Sequence, residues 1–413
     1  MSEWKFVKLE SILDKITKGT TPPKGVGFVD KGINYIKSDA INYDGRIDKE
    51  KFVQINFETH EQFKRSQLEE HDILFSMAGA YLGKNALVKK DMLPANTNQA
   101  LAILRLNKNL SLPKYINYYL LQPQIIDFVN NMSGQSAQPN INFQEISSIE
   151  ILLPSLKEQK AIAEVLSSLD DKIDLLHRQN KTLGELAQTL FRQWFIEEAK
   201  DEWETCKLED IATMQNGFSF SSKHYIPYEK EHLEVLKMGH IERGGGLKSN
   251  PKKDFVPREE KLEKWVLNKN DIVMAMTDMK DNVVILGVPA IIDKSDKYVL
   301  NQRVARICLK SNEKLLNNYL LYIQLKDPDF IALLQSKANS GVQVNLSTQS
   351  IKDSEIIIPP MSIQETVGND ITDLYLKKEN NDIQIKTLEI MRDTLLPKLM
   401  SGEVKIKHGD SND

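Results

Sequence analysis

Cysteine is nearly absent: Cys206 and Cys308 are the two in 413 residues, so neither a disulfide framework nor a thiolate zinc site is expected. No run of about 18 apolar residues occurs, so no membrane-spanning helix is expected. The opening MSEWKFVKLE lacks the basic-then-apolar order of a secretory signal, which points to the cytoplasm. Net charge is small, with 54 basic residues against 58 acidic ones. That argues against a chain coated in basic surface. It leaves room for a local basic face, which is what phosphate neutralisation requires.

Motifs for chemistry are missing as well. There is no GxxxxGK followed by Ser or Thr, no NPPY, NPPF, DPPY or DPPF tetrapeptide of adenine methylation, and no clear PD…(D/E)xK cluster. The GVGF at Gly25–Phe28 is a lone glycine pair, read as a loop rather than a cofactor site. His224, His232 and His240 recur every eight residues without nearby cysteines or the spacing of one helix face. Ordinary polar histidines are expected there, and no metal. A noncatalytic chain is the expectation.

What is present is a repetition. QPNINFQEISSIEILLP (Gln138–Pro154) returns as QVNLSTQSIKDSEIIIP (Gln343–Pro359), with seven of 17 positions identical at an offset of 205. WKFVKLESI at Trp4 matches WETCKLEDI at Trp203, and Asp72-Ile73-Leu74 matches Asp271-Ile272-Val273, both at an offset of 199. Asn98-Gln99 matches Asn301-Gln302 at 203, and Tyr115 with Tyr118 matches Tyr319 with Tyr322 at 204. Preserved order with a slowly drifting offset marks a divergent tandem duplication. A period near 200 is far above that of a solenoid, so each copy is a whole domain followed by a helix.

Within a copy, short β-branched or aromatic runs alternate with turn residues, as in INYIKSDAI, DILFSMAG, NALV and LAILRL, then DIVMAM, VVILGVPAII and VARICL. Helical patterns fall at Leu112–Asn130 and Leu315–Leu334, so each globular unit reads as mixed α/β. The expected divisions are a first domain at 1–154, a central long helix at 155–200, a second domain at 201–360, a C-terminal long helix at 361–400 and a tail at 401–413.

The central helix opens on Ser155 and Glu158, a capping-box spacing. Its seam runs Ile162, Leu166, Leu169, Ile173, Leu176, Asn180, Leu183, Ala187, Leu190 and Trp194, in alternating steps of four and three. That rhythm is a heptad, and a polar Asn180 within it is a register-fixing device. The C-terminal helix keeps Val367, Ile371, Leu374, Ile385, Leu388, Leu395 and Leu399 on the same rhythm, interrupted by Lys378, Asn381 and Arg392. A narrow seam suits a helix partner better than a broad core face, so the two helices are expected to pair as an antiparallel coiled coil rather than each lying only on its own domain. The fold class expected is a tandem duplication of a mixed α/β domain plus long helix, with approximate two-fold symmetry. Such an object suits a two-fold target, of which duplex DNA with half-sites is one.

These residues resemble the DNA-specificity (S) subunit family of type I restriction–modification systems. The resemblance rests on the openings at Trp4 and Trp203, the paired Asn-Gln at Asn98 and Asn301, and the Q-x-N before each helix. It rests also on LPSLKEQKAIAEVL, AQTLFRQWF and the ending RDTLLPKLMSGEV (Arg392–Val404). Together they span nearly the whole chain in the family's order. The resemblance implies a noncatalytic subunit with two target-recognition domains, each reading one half of a split sequence in double-stranded DNA, on helices that set the spacing and recruit partners. It implies two modification subunits that carry S-adenosylmethionine, and restriction subunits that use ATP and Mg, with no cofactor in this chain. The competing reading is a two-headed scaffold that docks two copies of a protein partner without reading DNA.

Candidate DNA contacts lie in loops rich in Lys, Gly, Ser and Thr: Lys18, Lys24, Lys37, Ser76 and Lys84 in copy one, and Lys223, Lys237, Arg243, Lys248, Thr277 and Lys280 in copy two. Lysines there suit phosphates, and Ser, Thr or Arg suit base edges. Asn98, Gln99, Asn301 and Gln302 have the chemistry to pair with adenine. Both copies share them, however, and domains reading different half-sites must differ where they read. They are therefore assigned to the scaffold, as are Asn140 and Asn345 of the Q-x-N motifs.

Overall fold

The structure, a computed structural model, describes residues 4–23, 27–79, 82–132, 139–200, 203–228, 231–248, 250–279, 283–311, 314–340 and 343–406. Two compact units form, one from Met1–Asp174 with Ile385–Asp413 and the other from Leu175–Gln384. Both long helices are thus shared between units. Each unit combines one globular copy with one part of each helix.

The first copy is built on a four-stranded antiparallel sheet in the order Leu13–Lys18, Leu101–Leu106, Ile73–Ser76 and Asn85–Leu87. Side chains alternate across a strand, so its apolar runs feed two cores. Ile73, Phe75, Ala102 and Leu104 face one cluster with Tyr115, Ile116 and Leu120, while Leu74, Ala86, Leu101 and Ile103 face another. A three-stranded sheet stands beside it, Val53–Ile55 antiparallel and Ala95–Thr97 parallel to the central Ile33–Ile36. Lys5–Lys8 pairs with Glu150–Leu153, tying the start of the copy to its end.

The second copy repeats every one of these pairings. Ala212–Asn216, Val304–Leu309, Ile272–Ala275 and Pro289–Ile291 form the four-stranded sheet. Phe255–Pro257, His232–Leu236 and Tyr298–Leu300 form the three-stranded one, and Glu204–Lys207 pairs with Glu355–Ile358. The buried Asp of the matched Asp-Ile motifs also repeats its role. Asp72 accepts from Arg105 Nε and Nη2, both at 2.8 Å, and Asp271 accepts from Arg306 Nη2 at 3.3 Å while forming an ion pair with its Nε at 2.8 Å. In both copies this fork joins the same two neighbouring strands.

Two sequence expectations need correction. The helical stretches at Leu112–Asn130 and Leu315–Leu334 are each two helices, Pro113–Leu120 with Pro123–Met132 and Asn318–Leu325 with Pro328–Ser336. Pro123 and Pro328 have no amide to donate back into the preceding turn, so each starts a new helix. The apolar VVILGVPAII yields only the short strand Pro289–Ile291, because Gly287 takes a left-handed φ of 77° just before it.

The central helix is Leu156–Arg192, continued by a wider turn at Gln193–Glu197, and the C-terminal helix is Asn369–Met400. Ser155 and Glu158 close the capping box, with Ser155 N donating to Glu158 Oε2 at 3.1 Å and Glu158 N to Ser155 Oγ at 3.3 Å. In the first unit the helix segments run antiparallel. Trp4 donates to Glu158 and lies against Gly402, whereas twelve residues further along Asp170 meets Arg392. The seam also joins the globular core: Ile162 and Leu166 share a cluster with Ile73 and Leu104 as well as with Leu396 and Leu399. In the second unit Ala187, Phe191, Ile371 and Tyr375 join the core of copy two in the same manner. Helix pairing and docking on the domain are therefore combined rather than alternative.

The polar seam residues are partners. In the second unit Asn180 Oδ1 accepts from Asn381 Nδ2 at 2.9 Å, and Asn180 Nδ2 donates to Asp382 at 2.6 Å. Asn381 is 1% exposed, so its amide cannot fall back on water. Ile173, Leu176 and Ile385 are buried, while Leu169, Leu183, Leu190, Leu374, Leu388 and Leu395 are half-buried at the seam's margins. Asn180→Leu alone is expected to cost about 1–3 kcal/mol, because it strands the buried Asn381 amide. Adding Asn381→Leu should recover most of that loss. Denaturant midpoints for the wild type, both single variants and the double variant check this, and additive losses would refute the pairing.

Candidate nucleic-acid interface

Each copy brings the same turn to the same place. Lys37 precedes a short 3-10 turn at Ser38–Ala40 and Lys237 one at Met238–His240, and bridges Ile41–Ile47 and Ile241–Leu247 follow. At both positions the ammonium lies over a ring, Lys37 over Phe28 at 5.7 Å and Lys237 over Tyr225 at 4.2 Å. Both ammonium groups are thus within cation–π range of an aromatic face. The copies differ in charge here. Lys237 Nζ pairs with Asp254 at 2.6 Å, and that bond, helped by Tyr225, outweighs burial and raises its pKa.

Lys18, Lys223 and Arg243 are exposed and Lys248 is half-buried. Lys24 and Lys280 lie outside the described residues. Three candidates are corrected. Ser76 is 0% exposed, at the inner end of a central strand, where its amide donates to Lys84 O at 2.7 Å. Thr277 is 5% exposed and donates its hydroxyl to Asn345 Oδ1 at 3.1 Å. Lys84 is 8% exposed, its Nζ over the Tyr43 ring at 4.4 Å, and burial lowers its pKa. Ser76 and Thr277 are turned inward, whereas the Lys84 ammonium rests on the exposed Tyr43 ring.

The shared motifs close turns. Leu101 N donates to Asn98 O at 3.2 Å and Val304 N to Asn301 O at 2.9 Å, while Gln99 and Gln302 remain exposed. Asn140 bridges Ala78, and Asn345 stands opposite Thr277 in a short ladder. The three histidines are engaged separately: His240 with Glu234 at 3.1 Å, His224 with Ser221, and His232 against the rings of Tyr228 and Phe255. Burial pushes the Glu234 carboxyl up, but His240 and Lys297 more than offset it, and its pKa is lowered. Among the described residues no group of three or more His, Cys, Asp or Glu is arranged to hold a metal. Among the described residues no helix is long and apolar enough to cross a membrane.

Sequence reasoning missed Gln159 and Gln364. Gln159 Oε1 accepts from Leu112 N at 2.7 Å and its Nε2 donates to Pro154 O at 2.9 Å. Gln364 repeats this on Leu316 N at 2.9 Å and Pro359 O at 2.8 Å. Gln159 locks the first turn of the central helix onto its copy, and Gln364 does the same for the wider turn Gln364–Gly368 that leads into the C-terminal helix. The signal was available, since the pair lies at the same offset of 205 as the motif before it.

A mixed α/β domain is thus present twice, with matched turns, and each copy is locked to a long helix. Comparison with known proteins agrees: the family model for the type I restriction modification DNA specificity domain matches residues 1–185 and again 200–389. The chain belongs to that family. It is 27% identical over 358 residues to the type I restriction enzyme MjaIX specificity subunit of Methanocaldococcus jannaschii, covering 79% of this chain and 76% of the relative. To the HindI specificity subunit of Haemophilus influenzae it is 22% identical over 408 residues, covering 82% and 88%. The crystal structure of the type I restriction-modification S subunit from M. genitalium shares the fold, with a TM-score of 0.56 at 17% identity over 96% of each chain.

Proposed function

We propose that this chain is the noncatalytic specificity subunit of a type I restriction–modification complex. It binds a two-part sequence in duplex DNA, one half to each globular copy. The observation that carries the reading is the duplication itself: two copies share their pairings and turns while their exposed loops differ. Shared positions hold shape, and unlike positions on the same frame are free to encode unlike half-sites. The paired helices then fix the number of unread base pairs between the halves.

The helices also offer docking surface for partner subunits. On the C-terminal helix Leu376 and Ile383 are 42% and 61% exposed in the second unit, and Ile390 and Met391 are 61% and 46% exposed in the first. Leu376 and Ile383, both in the second unit, are spaced by seven, the interval that a further helix would cover. Methyltransferase subunits with S-adenosylmethionine, and restriction subunits using ATP and Mg, supply the chemistry in this reading. The cytoplasm, where such a complex meets DNA, is its place.

The test is a footprint. The chain with its modification partner is expected to protect two short half-sites separated by unprotected base pairs. Its affinity should fall steeply as salt rises, since Lys and Arg contacts release counterions. Continuous protection, or binding indifferent to salt, would instead favour the protein scaffold without DNA readout.

A further inference from the structure

Thr20 and Phe218 hold the same backbone position in the two copies. Thr20 N donates to Thr97 O at 2.9 Å and Phe218 N to Leu300 O at 2.8 Å. Each follows a glycine that passes so close to the Asn-Gln turn that an added Cβ would stand 2.1 Å from Asn98 O or 2.3 Å from Asn301 O. Arg65 and Lys264 are likewise equivalent, because two residues on Gln67 bridges Asn96 and Val266 bridges Val299.

On this common backbone the side chains are opposite in chemistry. In copy two the Phe218 ring lies 4.9 Å from both Phe220 and Trp265, and Lys264 stands over Trp265 at 4.0 Å. These three rings are half-buried over Val266 and Val299, with Trp265 also packed against the adjoining core of Leu267 and Leu300, and His224 lies 5.9 Å from Phe218 and 6.0 Å from Phe220. Copy one has no ring at the equivalent positions. Its exposed Arg65 reaches Thr20 Oγ1 at 3.4 Å, leaving a fork of donors at the surface.

We propose that this locus reads one base pair in each half-site, and that the rings and the guanidinium are two settings of one reading position. Arg65 donates to the O6 and N7 edge of a guanine, and the Phe218–Phe220–Trp265 patch packs on the 5-methyl group of a thymine. These are the matching base-edge chemistries in the major groove. The inference rests on the two-part DNA reading above and names the residues that carry its specificity.

The experiment maps methylated adenines in cells expressing the chain with its modification and restriction subunits, comparing wild type, Arg65→Ala and Phe220→Ala. Arg65→Ala is expected to relax one G·C position in one half-site by about tenfold, leaving the other half unchanged. Phe220→Ala should relax one A·T position in the other half by a similar factor. Should Phe220→Ala abolish methylation everywhere through loss of fold, the exposed Arg65 decides alone. Unchanged half-sites in Arg65→Ala, or relaxation in both halves, overturn the assignment. If the unaltered protein directs no two-part sequence at all, the reading of its function falls, and this inference falls with it.

Discussion

Arg392→Ala is expected to lower folding stability by about 3–5 kcal/mol at neutral pH, the cost of leaving a buried charge without its partner. Arg392 is 9% exposed, and its Nη1 meets Asp170 Oδ1 at 3.0 Å within the seam of the first unit. Asp170 also accepts the Tyr118 hydroxyl at 2.5 Å. Burial pushes the Asp170 carboxyl above the ordinary carboxylate range, although Tyr118 and Arg392 both pull it down. Removing the guanidinium removes one of those restraints, so the carboxyl rises further.

The sign of the pH dependence follows. A carboxyl whose pKa is higher folded than unfolded holds its proton more tightly in the folded state. Its contribution is present at low pH and lost as pH rises through the folded value. The deficit of Arg392→Ala should therefore shrink on acidification toward about pH 4, the ordinary aspartate range. Asp170→Asn with Arg392→Met keeps an acceptor for Tyr118 and should recover most of the loss. Arg258 gives the contrast: its partners Glu263 and Asp296 are 45% and 64% exposed, so Arg258→Ala should cost less than about 1 kcal/mol. Equal midpoint shifts for Arg258→Ala and Arg392→Ala in urea would show that the seam pair is not buried in solution.

Arg392 and Asn381 show where the sequence was readable and where it was not. Both stood out as charged or polar breaks in the heptad of the C-terminal helix. A heptad describes one helix and carries no register for the opposite one. That Asn381 answers Asn180, and Arg392 answers Asp170, depends on an antiparallel alignment that neither segment encodes alone. The duplication was legible because its offset drifts by only a few residues, and that sufficed for the doubled mixed α/β domain and the long helices, whereas the strand pairings were not read.

The loops were less legible. Ser76 and Thr277 have the composition of a DNA-contact loop but lie at strand ends, where alternation turns one side chain inward and the next outward. Composition does not fix that phase. Phe218 and Trp265, conversely, belong to no motif that the sequence singles out. They become informative only once Gly19 and Gly217 place Thr20 and Phe218 on the same backbone. Unlike residues can be compared only after the like ones have been superposed.

Gln364 is the position where one substitution should do the most damage to the second unit. Its side chain is 1% exposed, with Oε1 on Leu316 N at 2.9 Å and Nε2 on the carbonyls of Lys314 and Pro359, both at 2.8 Å. Gln364→Ala strands all three backbone groups and opens a cavity, for an expected loss of about 3–5 kcal/mol. Gln364→Glu keeps the shape and changes the chemistry alone. An ionised carboxylate there would face two carbonyl oxygens that now receive hydrogen bonds, so its pKa must rise well above the solution value. The protonated form replaces the lost amide donor on one carbonyl only. By the same sign as before, the folded state favours the proton, and stability relative to wild type should fall steadily from about pH 5 to about pH 8. Gln159→Glu should repeat the behaviour in the first unit, since Gln159 is 0% exposed and faces Pro154 O in the same way. Unfolding curves at stepped pH read both variants. A Gln364→Glu midpoint that tracks wild type across that range would mean water reaches the helix start, and that the glutamine lock is not what holds the helix to its domain.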